Sequence, residues 1–146
     1  MMMKVEDWNG MRVLSVREPW ATLIVSGQKD VENRSRRILF AGPLLIHASA
    51  GMTRAYYDAA VAWISCYVDR YRVAVEIPSY EACKATRGKI VGGVTLYGCW
   101  RTSESSWFDG SGWAWELGEA WQASVPVPFK GQLSLAMFRG AEDHRA

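Results

Sequence analysis

The segment SGQKDVENRSRR, residues 26–37, gathers the side chains of this sequence best suited to chemistry: Lys29, Glu32, Arg34, Arg36 and Arg37. An amine such as Lys29 is ordinarily a solvated surface group. Partly withdrawn from water, it becomes a hydrogen-bond donor or, once its proton is lost, a general base. Glu32 can pair with it, or can accept hydrogen bonds from the amino edge of a nucleobase, as acidic side chains do with cytosine N4. In extended chain, residues three apart lie on opposite faces, so a turn has to bring Lys29 and Glu32 together. Arg34 and Arg36 alternate onto one face and Arg37 onto the other. Their guanidinium groups suit bidentate contacts to the phosphates of a nucleic acid, or else they cover a solvated sheet edge against pairing.

A second polar run, SESSWFDGSGW, offers Glu104, Ser105, Ser106 and Asp109 beside Trp107 and Phe108. Single-stranded RNA is recognised by splaying bases onto aromatic rings while polar groups read their edges. Glu104 or Asp109 is the candidate second acid, and one of the two rings is expected to cap the barrel. His47 lies among apolar residues and reads as a core histidine, with Ser49 two residues on as a possible partner. No Gly-x-Ser-x-Gly elbow occurs. Trp20, Trp63, Trp113 and Trp115 read as core residues.

The elements that must position these groups follow from periodicity. MRVLSV (11–16) alternates as a strand. EPWATLIVSG (18–27) is a short helix, with Pro19 suited to a first helical position and Gly27 to its stop. GPLLIHAS (42–49) is an apolar strand. Residues 53–71 repeat apolar positions at helical spacing behind a Thr53 cap. A short helical turn is expected after Pro78. KIVGGVTLYGCW (89–100) is a strand whose Gly pair marks a bend or bulge. GWAWEL (112–117) and GQLSLAMF (131–138) are strands joined through VPVPF. Strands without a helix after each one favour an α+β barrel over a doubly wound parallel sheet.

The 146 residues fit a single domain spanning 11–138, with flexible termini at 1–10 and 139–146. The 49% hydrophobic content excludes a disordered chain, and a net charge of +2 excludes a uniformly basic nucleic-acid binder. Any basic footprint must be local. The three cysteines, Cys66, Cys83 and Cys99, are far apart and read as reduced and mostly buried. With neither a signal core nor a membrane-spanning stretch, a cytoplasmic location is expected. Nothing in the sequence calls for a metal or other cofactor.

LSVREPWATLIVSGQKDVENRSRR resembles the opening of the ASCH domain family, a group of PUA-like barrels. The family's Gly-x-Lys-x-x-Glu-x-Arg signature is matched by Gly27, Lys29, Glu32 and Arg34. GPLLIHAS, GKIVGGVTLYGCW, WFDGSGWAWEL and PFKGQLSL follow in family order, so the resemblance covers residues 11–138. It implies a mixed barrel of about six strands with two or three flanking helices and a cleft lined by the Gly-x-Lys segment. It further implies RNA or nucleotide binding, with hydrolysis of N4-acylated cytidines or ribonuclease activity in some members. The deacylating members carry Thr at the position of Glu32. A carboxylate cannot replace that hydroxyl as the same nucleophile, although it can activate water.

The expected site is therefore a cleft between the Lys29 segment and the 104–113 loop. For the partner, single-stranded RNA or a modified pyrimidine nucleoside, Lys29 and Glu32 would read the base, with Gly27 as a further binding position. Arg34, Arg36 and Arg37 would meet phosphate, Ser106 would line the cleft, and Trp107 or Phe108 would stack. In a hydrolase, Lys29 would be base or electrostatic partner, Glu32 the water activator and Glu104 the completing acid. A non-catalytic protein-interaction module is the third reading, its mark an exposed apolar patch.

Overall fold

A computed structural model describes residues 4–133 and 135–140. The strands are β1 (Arg12–Val16), β2 (Val31–Arg34), β3 (Gly42–Ala48), β4 (Lys89–Trp100), β5 (Trp113–Pro128) and β6 (Ala136–Met137). The helices are α1 (Trp20–Val25), α2 (Arg54–Tyr71) and α3 (Tyr80–Thr86). The strands form one mixed sheet in the order β2-β5-β4-β3-β1-β6, curled into a half-barrel. The β1–β3 pair is parallel and the remaining pairs are antiparallel. The expected α+β class and strand number are met.

Both faces of the central strands are apolar because both are covered. Leu14, Val16, Leu44 and Ile46 pack with Ile24 of α1 and with Trp115. Val13 and Leu45, on the opposite face, pack with Trp8, Phe129 and Phe138. A third cluster joins Leu23 and Val31 to Ile64, Tyr67 and Trp107, which fixes α2 and the loop before β5 onto α1 and β2. Thr53 caps α2 by accepting the Tyr56 amide, and Ser79 caps α3 by accepting that of Ala82.

The curl comes from β4 and β5, whose register shifts three times along their length. The Gly92–Gly93 pair expected to bulge lies there. A Cβ on Gly92 would come within 2.1 Å of the Trp121 carbonyl oxygen, and one on Gly93 within 2.6 Å of the Trp121 ring. Glycine lets the two strands close on each other.

Four expectations are corrected. The strand predicted at 112–117 runs on to Pro128, taking in the presumed VPVPF connector. Beyond Glu116, β5 pairs with β4 alone, so Pro126 and Pro128 can face the unpaired side. The strand predicted at 131–138 is reduced to Ala136–Met137 within the described residues, and Ser134 lies outside them. The N-terminal segment does not fray from residue 4. Val5–Trp8 forms a 3-10 turn, and Trp8, 1% exposed, packs on Trp121 and Phe138. Met1–Met3 and residues 141–146, also expected to be flexible, lie outside the described residues. Trp63, expected in the core, is 47% exposed.

The three thiols are free: Cys66 exposed, Cys99 half-buried and Cys83 buried. Burial, reinforced by the Glu18 carboxylate, pushes the Cys83 thiol up to about 12. Glu18 itself is fully buried and accepts hydrogen bonds from the Thr22 amide and from the Thr22 and Thr86 hydroxyls.

Candidate functional site

The Lys29 segment is built by the end of α1. The amides of Gln28 and Lys29 both donate to the Leu23 carbonyl, and Gly27, at φ 81°, makes the reversal that this requires. The reversal turns Lys29 back under β2. Its amine donates to the Val31 carbonyl and lies 3.2 Å from Glu32 Oε1, over the Trp20 ring at 5.7 Å. Glu32 and Arg34 alternate onto one face of β2, where Arg34 Nε donates to Glu32 Oε2 at 3.0 Å. Arg34 Nη2 also donates to the Ser15 carbonyl at 2.9 Å, tying β2 to β1. The turn demanded by the sequence thus exists, and it places one carboxylate between two cations.

Lys29 is only 5% exposed and lies behind Glu32. Two of its three donors are used, one on the Val31 carbonyl and one on Glu32 Oε1, so the amine holds the carboxylate in place. Glu32 and Arg34 face a cavity of about 720 Å³. Its walls come from the ends of β1, β2 and β3, the starts of α1 and α2, and residues 129–133. Arg17 and Lys130 stand exposed at its rim, and Trp20, Tyr56 and Phe129 contribute rings. Among the described residues, Glu32 is the one carboxylate in the wall. Arg17 lies over the Tyr56 ring at 4.9 Å, and Trp20 Nε1 donates to the Tyr56 hydroxyl at 3.1 Å.

Ser15 and His47 also face this cavity. They are register partners across the parallel β1–β3 pair, and Ser15 Oγ lies 2.8 Å from His47 Nδ1. The expected serine partner, Ser49, is not the one used. Burial lowers the His47 pKa, an effect partly offset by the nearby Phe129 and Gly88 backbone, so the ring is neutral at pH 7. Gly131 lies directly against this pair: a Cβ there would come within 2.3 Å of Ser15 Oγ and 2.6 Å of the His47 ring.

The 104–113 loop does not form the opposite wall of this cavity, which corrects the expected cleft. Its hydrogen bonds pin it to the Gln28–Asn33 segment from another side: Ser105 Oγ to Asp30 Oδ1, Trp107 Nε1 to the Gln28 carbonyl, and Asn33 Nδ2 to the Trp107 carbonyl. Trp107 is 5% exposed and stacks on Tyr67 at 3.9 Å, so its ring is covered by the protein itself. Phe108 packs half-buried on the same cluster. Ser106 is bonded to the Tyr67 hydroxyl. Glu104 is exposed and lines a separate open groove with Asp30 and Glu116, away from Lys29. Asp109 is exposed and caps the Ser111 amide and hydroxyl within its own loop. Gly27 shapes the turn without facing the main cavity.

Arg36 and Arg37 follow the end of β2, both exposed. They line a neighbouring groove of about 750 Å³ with Trp115 and Ile38. Arg34, Gln132 and Leu133 line both this groove and the main cavity, so the two are contiguous. Arg17, Tyr56, Lys130 and Gln132 carry no motif at the sequence level. Ser15 and His47 become neighbours only through strand pairing between residues 32 apart in the chain.

The chain shares its fold with the crystal structure of ASCH from Zymomonas mobilis. That match has a TM-score of 0.51 and 18% identity, over 89% of this chain and 88% of that one. A tyrosine-to-phenylalanine variant of the Zymomonas protein matches at TM-score 0.50 and 19% identity, over 92% of this chain and 94% of that one. A serine-to-alanine variant gives 0.51 and 16%, over 92% of each chain. No curated protein matches the sequence. The family model of the ASCH domain matches residues 14–130, which contain the end of β1, all of β2 to β5, the Lys29–Glu32–Arg34 cluster and nearly all of the cavity wall; the chain belongs to the ASCH domain family.

Proposed function

We propose that this chain binds single-stranded RNA, with a base in the main cavity and the adjoining phosphates on the Arg36–Arg37 groove. The observation that carries the reading is the placement of Glu32. Among the described residues it is the one carboxylate of the main cavity, braced by Lys29 and Arg34, with exposed cations on the rim and a second basic groove running from the same Arg34. The cavity lies within the range typical of small-molecule sites, about 300–1,000 Å³. A fixed carboxylate accepts from an exocyclic amino group, which favours cytosine N4. Arginines suit phosphate through paired donors.

Titration of a labelled cytidine-rich single strand at several salt concentrations tests this. Binding should weaken linearly on a log–log salt plot. Arg36→Ala with Arg37→Ala should reduce the slope by roughly 0.7 for each phosphate that is no longer neutralised. Salt-independent binding, or none, would remove the proposal.

A second reading, hydrolysis of an N4-acylated cytidine, is favoured by one specific observation: the neutral His47 is bonded to Ser15 in the same cavity as Glu32. Chromatography of N4-acetylcytidine incubated with the protein decides it. Cytidine formed by the native chain and abolished by both Glu32→Gln and Ser15→Ala would support hydrolysis. No turnover leaves the cavity as a binding site.

A further inference from the structure

The proposed RNA site leaves one neighbouring surface unused. Trp20, in the cavity wall, meets Trp63 of α2 edge-to-face at 5.7 Å. Trp63 in turn lies near-parallel to Tyr67 at 5.7 Å and to Trp107 at 6.0 Å. Those two rings are buried and anchored, Trp107 through its bond to the Gln28 carbonyl and Tyr67 through Ser106. Trp63 is therefore held in orientation by buried rings while 47% of it remains in water. An indole fixed and exposed in this way is a ready stacking face, because little side-chain freedom is left to lose when a second ring lies on it.

Charge points the same way. Arg17 covers Tyr56 on the cavity side of Trp63, and Arg70 lies over Tyr71 at 5.5 Å about two helical turns beyond it. Residues 63, 67, 70 and 71 share one side of α2, whereas the exposed Asp58 and Asp69 project from the other. A surface with ring faces between cations and with its acids turned away complements a ligand that alternates aromatic planes with anionic charge.

We propose that Trp63 stacks on a base next to the one held in the cavity, so that the ligand is a strand of at least two nucleotides and not a free nucleoside. This inference rests on the RNA-binding reading above. The test compares cytidine 5′-monophosphate with a short oligocytidine RNA on the native chain, Trp63→Ala and Trp63→Phe. Circular dichroism confirms that each variant is folded. Trp63→Ala should weaken the oligonucleotide roughly 5- to 150-fold, leave the mononucleotide unchanged, and be largely rescued by Trp63→Phe. Unchanged oligonucleotide affinity in Trp63→Ala would overturn the inference while leaving the cavity reading intact. Equal weakening of both ligands would also overturn it, since Trp63 would then act only through Trp20. A native chain that binds neither ligand overturns the RNA reading, and this inference with it.

Discussion

Lys29 stands one layer behind the cavity wall, and its contribution runs through Glu32. Replacing it with Met keeps the apolar stem over Trp20 but removes the donor to the Val31 carbonyl and to the carboxylate. That leaves a buried acceptor unpaired and should cost about 1–3 kcal/mol, read as a shifted denaturation midpoint at unchanged slope. RNA affinity should fall as well, because Glu32 would then be oriented by Arg34 alone. The meeting of Lys29, Glu32 and Arg34 was legible in the sequence because they lie close along the chain and need only one turn to come together. The positions of Trp107 and Glu104 were not. An indole in a polar loop can face water or the core, and only the packing of α2 decides which. Glu104 follows a loop whose bonds run to Asp30 and Gln28 instead of to Lys29.

At the level of elements, the close approach of β4 and β5 sets the curl of the sheet. Gly92→Ala would drive a methyl group onto the Trp121 carbonyl and against Val25, which backbone cannot evade without moving. A loss of about 1–3 kcal/mol is expected, measured by thermal or denaturant unfolding. Strong local patterns were readable: α2 occupies 54–71 as its spacing and Thr53 cap required, β1, β3 and β4 fall where predicted, and α1 is a shorter helix, Trp20–Val25, inside its predicted 18–27, with Pro19 just before its first turn instead of in it. The prolines of VPVPF hid the second half of β5. Proline forbids a strand only where both sides are paired, and β2 is too short to pair beyond Glu116. The stretch at 131–138 alternates like a strand, yet Gly131 instead closes against Ser15 and His47. That contact involves three distant segments and leaves no local trace.

Across the whole molecule, His47 joins β1, β3 and the 129–131 segment, so its titration is a property of the fold. Its folded pKa lies below the ordinary 6.5, so the unfolded chain takes up the proton first as pH falls. The stabilisation is therefore complete above about pH 6.5 and is lost progressively as pH drops from there toward the folded value. Unfolding free energies measured across that window should decline in the native chain and should be flatter in His47→Gln. Among the described residues no helix is long and apolar enough to cross a membrane. The barrel class was legible from the strand count. The parallel pairing of β1 with β3, which makes the Ser15–His47 contact, was not, because strand order is fixed by contacts between distant residues.

The unequal settings of the three thiols give the protein a built-in attachment point. Cys83 is buried, with its thiol pushed up to about 12, and Cys99 Sγ is engaged with the Ile38 backbone, which leaves Cys66 as the accessible sulfur. Cys66 lies on α2 three residues from Trp63. A maleimide dye added to the native chain would settle there without any engineering and would report, through its brightness, what comes to rest on that helix.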